Sequence, residues 1–181
     1  IVYNGSLTYS ANYDAMEYFL AEIYPLVRKE VPDTTLKITG STASVDMTGL
    51  QLDESAHLTG YVDDVRIPIA ESAVCVVPLR EGGGTRLKIL EAMALGTPVV
   101  ATSKGAEGLD VTHEQDILIA DSPAEFAAQV VRALRNPALR RSLSQSARRL
   151  VEREYDWDLI GARFVGLVED EAISHRGTRA T

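Results

Sequence analysis

The sequence predicts an α/β fold, a parallel sheet covered on both faces by helices. Three observations predict it. Runs of strand length, apolar or alternating with period two, trade places with 3.6-periodic runs along the 181 residues. Glycine follows four of the strand-like runs, at Gly5, Gly40, Gly60 and Gly82–Gly84. Loops leaving parallel strands gather on one rim, where ligands of such sheets bind, so these glycines should crowd together. Finally, the apolar run Ala73–Leu79 stops at three consecutive glycines and a helical pattern starts at once.

Taken in order, Ile1–Ser6 reads as a strand ending at a glycine turn. Asn12–Lys29 carries Ala15, Phe19, Ile23 and Leu26 on one helical stripe. Thr35–Gly40 alternates and ends in glycine, and Ser41–Ser55 is small and polar without period, hence loop or weak helix. His57–Val62 is a short strand, and Asp63-Asp64 caps a short helix through Ala70. The strand Ala73–Leu79 feeds a helix over Thr85–Leu95, with Leu87, Leu90 and Ala94 on its apolar stripe and Gly96 as its stop. Pro98–Thr102 is the next strand, Lys104–Gly108 a loop, and Asp116–Ala120 a strand. Ser122-Pro-Ala-Glu125 is a capping box with proline in the first helical position. Asn136-Pro137 restarts a second helix to about Tyr155, and Asp156-Trp-Asp158 opens a third, ending near Ser174. Residues 1–175 therefore read as one domain with a helical C-terminus, and 176–181 as a frayed tail.

Hydrophobic residues make up 45% of the chain, enough for a sizeable core, and the net charge is −8. That charge argues against nucleic acid as a partner, because phosphate backbones select a basic face. Arginine is dense only at Arg132, Arg135, Arg140, Arg141, Arg148, Arg149 and Arg153. These read as the solvated side of two helices, or alternatively as a patch for peripheral contact with an anionic membrane. The single cysteine, Cys75, lies inside a strand run and reads as a core thiol in a reducing, cytoplasmic setting. No apolar run approaches the roughly 20 residues that span a bilayer. The start at Ile1, directly in a strand pattern, reads as a piece of a longer protein. The isolated His57, His113 and His175 have no metal-ligand spacing, so no metal is expected.

The chemistry concentrates in Arg80–Ala94. Glycines let backbone N–H groups approach a ligand, and the first turn of a helix adds free donors and a positive dipole end. Such a place binds phosphate or sugar oxygens. Glu91, in the second turn of the same helix, can accept hydrogen bonds from ribose hydroxyls. Phosphate donors and a ribose acceptor on one element point to a nucleotide-sugar. The bland alternatives are a tight turn, and a structural pairing of Lys88 with Glu91 three residues on. Three glycines exceed what a turn needs, and each costs roughly 0.5–1 kcal/mol against alanine in regular structure. Arg80 reads as flanking its strand, Glu107 as a surface acid, and Trp157, near Tyr155 and Phe164, as a core or domain-packing anchor.

Several segments in this order resemble the C-terminal half of a GT-B glycosyltransferase of the retaining group 1 type. They are Asn4-Gly-Ser6 with Asn12, Leu36–Gly40, Leu58–Asp64, Pro78–Thr102 and Gly105–Leu109. The resemblance implies a Rossmann-like three-layer α/β/α domain that holds a nucleoside-diphosphate sugar, with the acceptor domain on an N-terminal half absent from this chain. It implies sugar transfer to an acceptor hydroxyl with retention, no metal or other cofactor, and little activity from this half alone. The second glutamate of the family's Glu-x7-Glu motif matches Glu91, for the ribose. Gly82, Gly83, Gly84 and Thr85 would face sugar and phosphates, and main-chain N–H groups of Arg86 and Leu87 the distal phosphate. Gly60, Tyr61 and Val62 would edge the base pocket, with Gly5 and Asn12 on the facing rim.

Two departures from the family pattern stand out. Eight positions before Glu91 is Gly83 rather than an acid; the nearest glutamate is Glu81, ten positions before it, and either the longer glycine loop brings Glu81 to the donor sugar or that role is vacant. The family's basic pair after the first strand is also missing, since Gly5–Asn12 holds no basic residue. Arg86 and Lys88 are the expected replacements at the phosphates. The alternatives of the same fold are a non-catalytic nucleotide-binding or protein-docking domain, and the half of an epimerase or phosphorylase.

Overall fold

The computed structural model describes the backbone of residues 1–177 and the side-chain surroundings of residues 1–169. The expected tail at 176–181 lies outside the described residues from 178 onward. Six strands form one parallel sheet: β1 Val2–Asn4, β2 Leu36–Thr39, β3 Ala56–Gly60, β4 Cys75–Val77, β5 Val99–Ala101 and β6 Leu118–Ile119. Their order is β3-β2-β1-β4-β5-β6, so the winding direction reverses between β1 and β4. The helices are α1 Ser10–Tyr18, α2 Tyr24–Glu30, α3 Arg66–Ala70, α4 Leu87–Ala94, α5 Ser103–Ala106, α6 Pro123–Arg135, α7 Pro137–Glu154 and α8 Trp157–Gly177. The fold is the Rossmann-like α/β/α arrangement that the alternation predicts.

Strands β4 and β5 are apolar at every position because both faces of the sheet are covered, while β1 ends in the polar Asn4. Tyr3, Val74, Val76 and Val100 join Phe19, Phe126 and Leu143 in one core. Val2, Cys75, Val77 and Ala101 join Ile89, Met93 and Ala147 in the other. Cys75 is fully buried, as a core thiol should be, and burial pushes its pKa up to about 12. The caps of α6 and α7 fall where the sequence puts them, whereas α3 starts after Val65, which gives no side-chain cap, rather than directly after Asp63-Asp64 as expected. Ser122 accepts from the Glu125 N–H and Asn136 from the Leu139 N–H, fixing the starts of α6 and α7.

Four local expectations are corrected. The Asn12–Lys29 helix contains a π turn, Phe19–Ile23, whose exit bonds the Tyr24 N–H to the Phe19 carbonyl. Pro25 follows directly; a helical proline lacks its N–H and clashes with the preceding turn, and widening the helix relieves that clash. The extra residue rotates the stripe, so Tyr24 and Val27 are buried and Leu26 faces out. The buried face of α4 is Ile89, Ala92 and Met93; Leu87 and Ala94 are exposed, because core and α7 take the opposite side. The Lys104–Gly108 loop begins with a helical turn, α5, capped by Thr102, whose Oγ1 accepts from the Gly105 N–H. Trp157 is 78% exposed, so it is not a core residue of this domain; among the described residues α8 packs chiefly against α7, which leaves most of its surface open.

The dense arginines are mostly engaged. Arg132 and Arg135 pair with Glu114 and Glu30, Arg148 with Glu152, Arg153 with Glu154, and Arg140 donates to the Ala133 and Leu134 carbonyls. No helix among the described residues is long and apolar enough to cross a membrane.

Candidate functional site

Where the winding reverses, the loops leaving β1 and β4 part and a cleft opens. The glycine loops meet there. The Gly5 N–H donates to the Thr39 carbonyl and the Gly40 N–H to the Gly60 carbonyl, at 2.9 and 3.0 Å. Gly40 holds φ +126°, and a Cβ on it would sit 2.6 Å from the Gly5 carbonyl, so no other residue fits that approach. Two adjoining cavities line the rim. One, of about 340 Å³, is bounded by Asn4, Gly5, Thr39, Gly40, Tyr61, Val62, Asp63, Val65, Lys88 and Glu91. The other, of about 220 Å³, is bounded by Tyr9, Ala11, Asn12, Leu79, Glu81, Gly82, Gly83, Thr85, Arg86, Leu87 and Lys88.

Lys88 belongs to both and stands at their junction. Its Nζ donates to Tyr3 Oη at 2.9 Å and Asn12 Oδ1 at 2.7 Å, and lies 4.4 Å from the centre of the Tyr3 ring. Tyr3 in turn donates to Asn12 Oδ1, and Asn12 Nδ2 to the Ser6 carbonyl, so the acceptors are held in place. Gly5 makes room for this: a Cβ there would lie 2.9 Å from the ammonium. The Lys88 pKa is lowered to about 8, chiefly by burial, with Cys75 offsetting part, Arg86 adding to it and Glu91 offsetting a little more. No carboxylate among the described residues bonds the ammonium, so this positive charge faces the cleft partly uncompensated.

The loop over residues 82–88 is open. Gly83, Gly84, Thr85 and Leu87 are exposed. The N–H groups of Gly82, Gly83, Gly84, Thr85, Arg86, Leu87 and Lys88 find no acceptor among the described residues. Gly82 and Gly84 hold φ +92° and +107°, and a Cβ on Gly83 would meet nothing within 4 Å. Such a succession of bare donors at the N-terminus of an amphipathic helix is an arrangement that can hold an anion.

Glu91 is exposed above the larger cavity and accepts from Asn4 Nδ2 at 3.0 Å. Asn4 is buried, its Oδ1 facing the Cys75 thiol at 3.6 Å. Glu81 is exposed beside the smaller cavity, ten positions before Glu91 in sequence. Tyr61 is 78% exposed at the mouth of the larger cavity. Gly60 and Gly84 line neither cavity. Arg86 enters the site differently from expectation: its guanidinium turns into the loop and its side chain is only 4% exposed. Arg80 pairs with Asp14 and lies over the Tyr18 ring, away from the cradle, as a strand-flanking residue should.

Sequence reading alone missed Tyr3, Asn4, Tyr9, Thr39 and Asp63. Tyr3 and Asn4 carried a usable signal, being polar atoms at the C-terminal end of a central strand, where an apolar pattern has no use for them.

The chain matches the family described as "Glycosyl transferases group 1" over residues 1–136. It is 29% identical over 154 residues to the phosphatidyl-myo-inositol mannosyltransferase of Propionibacterium freudenreichii, covering 82% of this chain and 38% of that protein. Its fold is similar to the C-terminal domain of a group 1 family glycosyl transferase from Francisella tularensis, with TM-score 0.66, 20% identity, and 86% of each chain covered. It is also similar to Anabaena HepE in complex with UDP, with TM-score 0.72, 16% identity, and 93% and 48% covered. The chain spans less than half the length of the curated relatives it matches first, 42% and 43%.

Proposed function

Because the chain belongs to the group 1 glycosyltransferases, we propose that it is the donor-binding half of one. The parent reaction moves a sugar from a nucleoside-diphosphate sugar to an acceptor hydroxyl. The observation that carries this reading is the pairing of bare amides over residues 82–88 with the Lys88 ammonium at the junction of two cavities. A base and ribose fit the larger cavity, beside Tyr61, Val62 and Glu91. The diphosphate fits the junction, and the sugar the smaller cavity, beside Gly82, Gly83 and Glu81. The UDP in the similarly folded Anabaena protein supports a nucleotide in this class of fold. Retention belongs to the reading through the family resemblance.

In this reading, negative charge grows on the leaving diphosphate as the glycosidic bond opens. Groups already aimed at that charge stabilise the transition state without reorganising. Lys88 and the amide groups at the start of α4 supply them. Lys88 is held by Tyr3 and Asn12 rather than by a carboxylate, so its charge is not quenched before the donor arrives. The cationic role falls to these groups, and the reading calls for no metal ion. Glu91, aimed by Asn4, accepts from the ribose hydroxyls. Transfer by the 181-residue chain itself is expected to be slight, because positioning of the acceptor falls to the missing half.

Titration calorimetry with UDP, GDP and ADP tests the reading. One of the three should bind, and Lys88→Met should weaken the nucleoside diphosphate far more than the nucleoside. Binding of none would instead favour a docking domain of the same fold.

A further inference from the structure

Arg86 is the one non-glycine residue of the cradle in the left-handed region, at φ +55°, where an L side chain is rare. Something must hold it there, and the surroundings show what does. Its Nη1 donates to the Gly83 carbonyl and its Nη2 to the Gly82 carbonyl, both at 3.2 Å. Nη2 also donates to Glu107 Oε2 at 3.1 Å. Glu107 comes from the neighbouring loop after α5, and the same Oε2 also accepts from Lys104 Nζ at 2.6 Å. Its carboxyl is held below the ordinary range, chiefly by Lys104 and then by Arg86. Only Nε of Arg86 lacks an acceptor.

This arrangement has a direct consequence for the glycine loop. Two glycine carbonyls pulled inward toward one guanidinium leave the N–H groups of the same peptides facing outward, as successive amides do in an anion-binding nest. Resting on the donor-site reading above, we propose that Arg86 is a positioning residue rather than a phosphate ligand. It clamps the Gly82 and Gly83 carbonyls from behind, and Glu107 is the anchor that keeps the clamp closed. The loop after β5 thereby sets the shape of the phosphate cradle after β4. The bidentate fork is the reason for arginine, since a lysine point charge cannot hold two carbonyls and a carboxylate in one plane.

The two roles for Arg86 predict opposite signs for one substitution. If Arg86 bound phosphate directly, Glu107→Ala would free a cation and remove a nearby negative charge, so UDP, GDP or ADP would bind as tightly or more tightly. If Arg86 is a clamp, the same substitution loosens the loop, and diphosphate affinity falls about tenfold, the scale of one charge-assisted hydrogen bond. The experiment is calorimetric titration of wild type, E107A, E107Q and R86K with UDP, GDP and ADP and with the matching nucleosides. The clamp requires weaker diphosphate binding in E107A and R86K, unchanged nucleoside binding, and partial recovery in E107Q, whose amide oxygen still accepts. A general loss of structure would weaken nucleoside and diphosphate alike and would overturn the proposal, as would unchanged or tighter diphosphate binding in E107A. Wild type binding none of the three would sink the donor-site reading, and the clamp with it.

Discussion

Two strand-to-helix turns sit side by side on this sheet, and they are built on opposite plans. The turn after β5 is closed. Thr102 caps α5 by accepting from the Gly105 N–H, and its hydroxyl donates to the Leu79 carbonyl. The Ala106, Glu107 and Leu109 N–H groups all find carbonyls. Gly105 is seated so tightly that a Cβ would come within 2.6 Å of the Val77 carbonyl. The turn after β4 is open: its amides are unpaired among the described residues, Gly83 and Gly84 face empty space, and its first helical turn is preceded by a strained arginine. Closing a turn by its own hydrogen bonds is the ordinary solution, so an adjacent turn left open on the same scaffold marks where a ligand is expected to complete the bonding.

The sharpest way to break that comparison is to put one methyl group on each turn. Gly→Ala in a helix normally stabilises by about 1 kcal/mol through propensity. Gly105→Ala should reverse that sign, because the methyl collides with backbone that cannot yield; a net loss of about 3 kcal/mol is expected, the upper range for overpacking. Gly83→Ala meets nothing within 4 Å, so its stability should hold or rise by about 0.5 kcal/mol. Nucleoside-diphosphate affinity should nevertheless fall in Gly83→Ala. Denaturant unfolding and calorimetric titration read the two effects. Equal stability losses at both positions would remove the distinction between a packed turn and a vacant one.

A second prediction turns on Lys88, where stability and binding should part company. The ammonium is buried without a carboxylate, which costs free energy whatever its function. In Lys88→Met, Tyr3 Oη still donates to Asn12 Oδ1, so no buried acceptor is orphaned. The melting temperature should therefore stay level or rise, while affinity for the nucleoside diphosphate falls about 30-fold, equivalent to about 2 kcal/mol and typical of a charged hydrogen bond. A lowered melting temperature with unchanged affinity would make Lys88 a structural residue and leave the amides as the whole of the phosphate site.

The contrast between the turns also explains what was legible in the sequence. Glycines after strands, the Ser122 and Asn136 caps and the apolar strands announced themselves, because each satisfies a rule of local chemistry. The cradle was legible for the opposite reason, since Gly82–Gly84 exceed what a local turn needs. What stayed hidden depends on partners far along the chain. The π turn rotates the buried stripe away from Leu26, and which side of α4 meets the core is decided by α7, not by the spacing of its leucines. The inward turn of Arg86 depends on Glu107, 21 positions later, and the shelter for Lys88 on Tyr3, 85 positions earlier. Spacing along one helix carries no information about either.

The smallest expected effect is a pH dependence, and it sharpens the comparison because only the open turn contains a group that titrates near neutrality. Lys88 has a folded pKa of about 8 against an ordinary 10.5. The free protein loses this charge as pH rises through about 8, so diphosphate affinity should fall about fourfold between pH 7 and 8.5, with proton uptake on binding in that window. Stability moves the other way. Between about 8 and 10.5 the unfolded chain keeps a proton that the folded chain has released, so this group adds stability as pH rises. Cys75, with its pKa raised by burial to about 12, has the opposite slope once the unfolded thiol ionises near 9. Tyr3, likewise raised by burial, adds to that opposing slope at higher pH. The Lys88 contribution is therefore the difference between wild type and Lys88→Met, measured across pH 7–10 in both titration and unfolding. Opposite slopes that vanish together in the variant would tie both to one ammonium, and a binding slope that survives in Lys88→Met would assign the titration to the nucleotide or to another side chain.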